Sequence, residues 1–275
     1  MKINLSRLII VFVAILLALF TLFPIVWVLV SSLKTRSAIF STPIEWIPNP
    51  ITLASYQEVF TYRPFGRIIM NSIIVGFSVV FLSFIVAIPA AYALARLRIK
   101  WKIPILMLIL SPYIFPAHTL VAPLYLLFRS LEWINTYQCL IIPYTSFSLP
   151  LAVWLLTIYI NAIPKELDEA ARIDGASNLK VLLSIIMPLL KPGLVTTGLL
   201  VFMGSWVEFM YALTFTVNEQ AQTIPVAIGS FYGRYAIPWG EISAASIIAI
   251  IPLATIIILF QRYLIKGILQ GGLKG

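Results

Sequence analysis

Apolar residues in this chain fall in long unbroken runs, and the polar residues gather in the segments between them, a pattern that predicts membrane-spanning helices. Six runs predict spans at Leu8 to Ser32, Ile68 to Ala95, Ile103 to Phe128, Tyr137 to Ile160, Leu194 to Phe215 and Ser243 to Leu264. Five of them contain an uncharged window of about 20 residues, enough to cross a hydrocarbon core, and the other is interrupted by Glu208 alone. The apolar run from Leu8 to Val30 is longer than the core of a secretory signal and lacks a clear A-x-A site, so it is expected to remain in the mature chain. The expected fold is all-α and integral to the membrane, a single transmembrane domain over residues 1–275.

An even number of spans puts both termini on one side, and Lys and Arg decide which. Thirteen of the 19 lie on the side that holds the termini, including Arg96, Arg98, Lys100, Lys102, Lys165, Arg172, Lys180 and Lys191. The other side holds six: Lys34, Arg36, Arg63, Arg67, Arg129 and Arg234. Both termini are therefore expected in the cytoplasm, together with the loop 161–192 and a tail 265–275. Residues 33–67 and 216–242 are expected outside.

Composition narrows the function. The chain is 61% apolar and 11% charged, which leaves only short loops outside the spans and excludes a conventional soluble enzyme. The net charge of +9 is dispersed between spans, as the positive-inside bias requires, and forms no continuous stripe for nucleic acid. Single residues of Cys (Cys139) and His (His118) remove His-rich and Cys-pair metal motifs. Residues 267–274 come nearest to a phosphate-binding loop, but Leu273 stands where Lys is needed, so no ATP or other cofactor is expected on this chain. No sequence repeat relates the two halves.

The loop 161–192 reads NAIPKELDEAARIDGASNLKVLLSIIMPLLKP. Pro164 suits a first helical turn, Glu166, Asp168 and Glu169 favour a helix N-terminus, and Gly175 suits a left-handed stop. A second helix is predicted from Ser177, with Leu179, Leu182, Leu183 and Ile186 on one face, up to Pro188 and Pro192. Ala170 and Ala171 allow close approach of a partner, flanked by the charges of Glu169 and Arg172. Composition alone fits an amphipathic hairpin on the membrane surface equally well.

This loop resembles that of the permease subunits of binding-protein-dependent ABC importers, whose signature is E-A-A, three residues, G, nine residues, I, one residue, L-P. Here Glu169-Ala170-Ala171 is followed by Gly175 and, after nine residues, Ile185; Ile186-Met187-Pro188 then replaces Leu by Met with one extra residue of spacing. Asn71-Ser72, the run from Ala90 to Arg96, Asp174-Gly175-Ala176, Pro192-Gly193 and the terminal Gly-Leu-Lys-Gly resemble the carbohydrate branch, closest to the smaller six-span maltose-type permease. The resemblance implies the type I importer permease fold, with 161–192 as a coupling loop that docks Glu169, Ala170, Ala171, Asp174 and Gly175 on an ATPase. It also implies a second homologous permease, two ATPase subunits carrying ATP and Mg, an extracytoplasmic solute-binding protein, and a sugar-like solute crossing the bacterial or archaeal cytoplasmic membrane. The tail would reach toward the ATPase dimer.

Thr197, Val201, Gly204, Ser205, Glu208 and Ala212 recur at helical spacing and predict a small or polar stripe on the fifth span. Glu208, with Ser205, Tyr211, Asn71 and His118, is a candidate for the translocation pathway, a carboxylate being costly against lipid. A permease interface accounts for Glu208 equally well, a cap accounts for Asn71, and a buried His satisfying a carbonyl freed by Pro112 or Pro116 accounts for His118. Trp46, Trp239 and Arg234 are candidates for docking the binding protein, although Trp also anchors at membrane interfaces. Glu208 disfavours an anionic solute, which sets a neutral sugar, oligosaccharide or glycoside ahead of glycerol phosphate. A proton-coupled carrier using Glu208, and an intramembrane enzyme pairing Glu208 with His118, are the competing functions. The sequence assigns no catalytic residue and no metal ligand.

Overall fold

A computed structural model describes residues 5–114, 116–231 and 237–272, and among these every regular element is helical. In chain order come α1 (Leu5–Ser32), α2 (Arg36–Ile39), α3 (Ala54–Tyr62) and α4 (Phe65–Arg96). Next, α5 (Lys102–Leu110) passes through two 3-10 turns, Ser111–Ile114 and Ala117–Leu120, into α6 (Val121–Ser130). After α7 (Gln138–Ala162) come α8 (Glu166–Ile173), α9 (Asn178–Val181), a π turn (Leu182–Ile186) and α10 (Met187–Leu189). The chain continues through α11 (Lys191–Trp206), α12 (Met210–Phe215) and α13 (Ile224–Gly229) to α14 (Trp239–Gly272).

Among the described residues, four continuous helices are long and apolar enough to cross a membrane: Leu8–Ser32, Phe65–Arg96, Gln138–Ala162 and Trp239–Tyr263. They coincide with the first, second, fourth and sixth predicted spans. The other two are bent pairs, Lys102–Ile114 with His118–Ser130 at 73° and Asn178–Leu189 with Lys191–Trp206 at 79°. Pro112 and Pro116 stand at the first bend, where two missing N–H groups and ring clashes four residues apart weaken the helical ladder.

The fifth run needs correction, because Leu194 to Phe215 is not one helix: α11 ends at Trp206 and α12 starts at Met210. Glu208 caps the restart. Its carboxylate accepts hydrogen bonds from the amides of Tyr211 (2.9 Å) and Ala212 (3.2 Å), which replace carbonyls of the preceding turn as partners. Residues 265–272 of the expected tail continue α14 in helical conformation. Residues 273–275 lie outside the described residues, as does Arg234.

Two compact units are formed, Met1–Gly66 with Ala227–Pro252, and Arg67–Val226 with Leu253–Gly275. In the first, the Arg36 guanidinium pairs with Glu58 at 2.5 Å and with Glu241. A hydrogen bond to Glu241, together with burial, holds the Glu58 carboxyl above the usual carboxylate range against the opposing pull of Arg36. None of the apolar window of α1 is buried, so this helix presents its side chains to hydrocarbon or to another apolar helix.

In the second unit, Leu140 and Tyr144, and farther along Val153, Leu156 and Ile160, are among the buried side chains of α7, each group at three- or four-residue steps. Its main neighbour is α11, whose Gly193 lies so close to Tyr159 that an added Cβ would stand 2.6 Å from the ring Cγ. Val79, Ala91, Ile186, Val201 and Phe215 complete this core.

Candidate functional site

The loop 161–192 folds as two short helices. Gly175, with φ of +78°, takes the left-handed position just past α8. The Gly175 amide donates to the Arg172 carbonyl (3.0 Å) and the Ala176 amide to the Ala171 carbonyl (2.9 Å), the paired bonds of a Schellman stop. Ser177 then caps α9, its hydroxyl accepting from the Lys180 amide at 3.4 Å. Beyond it the π turn shifts the helical register. The buried side chains are Val181, Leu182, Ile186 and Leu190, whereas Leu179 and Leu183, expected on one face with Leu182 and Ile186, are exposed.

Glu169, Ala170, Arg172, Asp174 and Gly175 are exposed and Ala171 is half-buried. Ile173 beside them is 87% exposed, an apolar side chain left without cover on the face that carries the Glu-Ala-Ala residues. Of the acids expected at the helix start, Glu166 is exposed, but Asp168 is the one buried residue of α8. Asp168 Oδ2 lies 2.6 Å from Nε of Arg96, the last residue of α4, with the two side chains 5% and 2% exposed. Arg96 Nη2 also donates to the Ile163 carbonyl at 2.7 Å, at the end of α7. In the sequence, Arg96 reads as an orientation charge closing a run that resembles the family, and Asp168 as a dipole partner. An arginine closing an apolar run and an acid in a later loop were the visible signals, but their pairing is a tertiary fact.

A cavity of about 350 Å³ in the second unit is lined by Tyr113, His118, Tyr144, Ser205, Glu208 and Tyr211, among others. It brings together four of the five pathway candidates. Tyr113 is 59% exposed and donates its hydroxyl to the Phe147 carbonyl at 3.3 Å. The Tyr144 hydroxyl donates to Glu208 Oε2, so both Glu208 oxygens are engaged by the protein. Ser205 is buried and donates to the Phe202 carbonyl at 2.8 Å. His118 is exposed, not a buried histidine satisfying a freed carbonyl.

Asn71, the fifth candidate, lies elsewhere. It sits within α4, seven residues into the helix, so it is not the cap of that span. Its Nδ2 donates to the carbonyls of Gln220 (3.1 Å) and Gln222 (3.0 Å), and its Oδ1 accepts from the Tyr137 hydroxyl at 2.7 Å. With Ser72, whose hydroxyl accepts from the Ile224 amide at 2.9 Å, it clasps the segment 220–224 and the approach to α7.

The segment Gly267 to Gly272 lies inside α14, with its amides committed to helical hydrogen bonds. It therefore offers no nest of free N–H groups for a nucleotide phosphate.

Residues 66–270 match the family model described as binding-protein-dependent transport system inner membrane component. The chain is 40% identical over 254 residues to the sulfoquinovosyl glycerol transport system permease protein of Agrobacterium fabrum, covering 92% of this chain and 89% of that one. It is 40% identical over 274 residues, 98% of each chain, to the trehalose/maltose transport system permease protein of Thermococcus litoralis. A solved bacterial ABC transporter involved in the import of the acidic polysaccharide alginate shares the fold, with a TM-score of 0.80 at 24% identity over 96% of this chain and 99% of that one.

Proposed function

The chain belongs to the binding-protein-dependent transport system inner membrane components and is a multi-pass permease of the sugar ABC importer family, and from that premise we infer how it takes part in transport. It forms half of a translocation pathway with a second, homologous permease, receives solute from an extracytoplasmic binding protein, and couples to two ATPase subunits that hold ATP and Mg. Both termini and the loop 161–192 face the cytoplasm, as the Lys and Arg distribution favours.

One observation supports the coupling role above all: α8 ends in a rigid Schellman stop while Glu169, Ala170, Ile173, Asp174 and Gly175 stand uncovered beside it. Small residues let a partner's backbone approach, Ile173 supplies an apolar anchor, and the flanking charges fix register. ATP-driven closure of the ATPases then moves α8 and switches the pathway between inward-facing and outward-facing states. The chain itself makes and breaks no bond.

The solute is hydroxyl-rich, a sugar, oligosaccharide or glycoside, and passes the cavity where the exposed Tyr113 ring offers a stacking face and His118 a polar one. Glu208 lines this cavity with both its oxygens engaged by neutral donors, which do not cancel a carboxylate's charge, so a neutral sugar or glycoside stays ahead of glycerol phosphate.

The deciding experiment is ATP hydrolysis and solute uptake by the purified, co-expressed complex carrying Glu169→Lys or Gly175→Asp. Loss of subunit assembly or of solute-stimulated hydrolysis is expected in both. Wild-type assembly, hydrolysis and uptake in both variants would remove the coupling assignment and favour a proton-coupled carrier.

A further inference from the structure

A surface helix with few buried side chains can shift on its neighbours when displaced, and a directional polar link resists that shift. Apolar contact alone gives α8 little purchase. A cleft of about 420 Å³ lies beside it, lined by Tyr159, Ile163, Pro164, Leu167, Leu190 and Gly193, among others, and Asp168 is its one buried residue. Beneath it lies the Arg96 guanidinium, which meets three elements at once: its own helix α4, the end of α7 through the Ile163 carbonyl, and α8 through Asp168.

The energetics of this pair point away from simple stabilisation. Arg96 Nη1 and Asp168 Oδ1 are buried and make no hydrogen bond among the described residues. The 2.6 Å approach of Nε to Oδ2 is a close charge contact without hydrogen-bond alignment, which is why these two atoms also count as unsatisfied. A buried ion pair with unmet polar atoms gains little over an apolar pair of the same volume, yet separating its charges in a low-dielectric site is strongly resisted. Such a pair fixes position.

We propose that Arg96 and Asp168 are positioning residues that lock α8 to the cytoplasm-proximal ends of α4 and α7, so that motion of the coupling helix reaches the membrane helices without slip. The inference rests on the coupling-loop reading and adds the strut that transmits it. Glu166 and Glu169, one turn or less away, cannot substitute, because both point out to solvent.

The test uses the full complex in lipid nanodiscs or vesicles and reads solute transported per ATP hydrolysed, beside assembly. Arg96→Gln and Asp168→Asn are expected to assemble, to keep basal hydrolysis, and to lose transport per ATP by about fivefold or more, the lower end of usual coupling strengths. The exchanged pair Arg96→Asp with Asp168→Arg is expected to recover at least part of that loss. The apolar pair Arg96→Met with Asp168→Leu separates a strut from packing, since it is expected to assemble as well as wild type and remain uncoupled. Wild-type transport per ATP in the single variants, or in the apolar pair, would overturn the proposal. Should the single variants fail to assemble, the apolar pair decides by itself. If Glu169→Lys and Gly175→Asp uncouple the complex while the ion-pair variants do not, only this inference falls; if all of them are silent, the coupling-loop reading falls with it.

Discussion

Glu208 shows how much a single side chain decides inside a membrane helix. An unpaired carboxylate in an apolar span is costly, and the chain meets that cost locally by giving it two amides and the Tyr144 hydroxyl. The helix is interrupted at this point, and α12 restarts on the amides that Glu208 caps. Glu208→Ala leaves those three donors without their acceptor, at about 1–3 kcal/mol for each one that stays buried, and is expected to lower the thermal midpoint of the purified complex by several degrees. Glu208→Gln keeps one acceptor oxygen, so it is expected to cost less and to retain uptake. If Glu208→Gln instead abolished uptake with assembly intact, proton coupling at this residue would return as the explanation. Asn71 and Ser72 show the same logic with neutral groups, since their side chains hold the backbone of a distant segment.

Helices α7 and α11 approach each other as closely as a glycine allows. Tyr159 packs where a Cβ of residue 193 would be, 2.6 Å from its Cγ, so Gly193→Val forces the ring or the helix to move. Overpacking of this kind costs about 1–3 kcal/mol, and a reduced yield of folded complex, with a lower midpoint on heating, is the expected result; Gly66→Val, at a position with open space around it, is the control. Register matters as much as spacing. The π turn at Leu182–Ile186 inserts an i→i+5 step that rotates everything beyond it, and before it the buried side of α9 is set by Val181 and Leu182, which leaves Leu179 exposed. No periodicity rule reads a π turn from a run of Leu, Ser and Ile.

For the whole molecule, the uncovered apolar length of α1, with Phe20 77% and Phe12 64% exposed, belongs in lipid or against another chain. Expressed without a second permease and ATPases, the protein is expected to be recovered in lower yield and to aggregate on detergent extraction, whereas co-expression restores a monodisperse complex in size-exclusion chromatography, since a partner that binds the folded state stabilises it. Equal yield and dispersity from the chain alone would show that lipid suffices. The sequence by itself determined the all-helical membrane character, the position of four continuous spans, the Pro112 and Pro116 bend, and the stop-and-cap of the loop at Gly175 and Ser177. Each of these follows from local rules: a hydrophobic run long enough to span, a ring without an N–H, a residue free to take positive φ, a hydroxyl ready to cap. Tertiary structure alone decided that Arg96 meets Asp168 across more than seventy residues, that Asn71 clasps 220–224 rather than facing the cavity, and that Tyr144 finishes the capture of Glu208. These outcomes depend on which side chains are brought within about 3 Å of one another once water is excluded, where a buried polar group must find whatever partner the packing supplies.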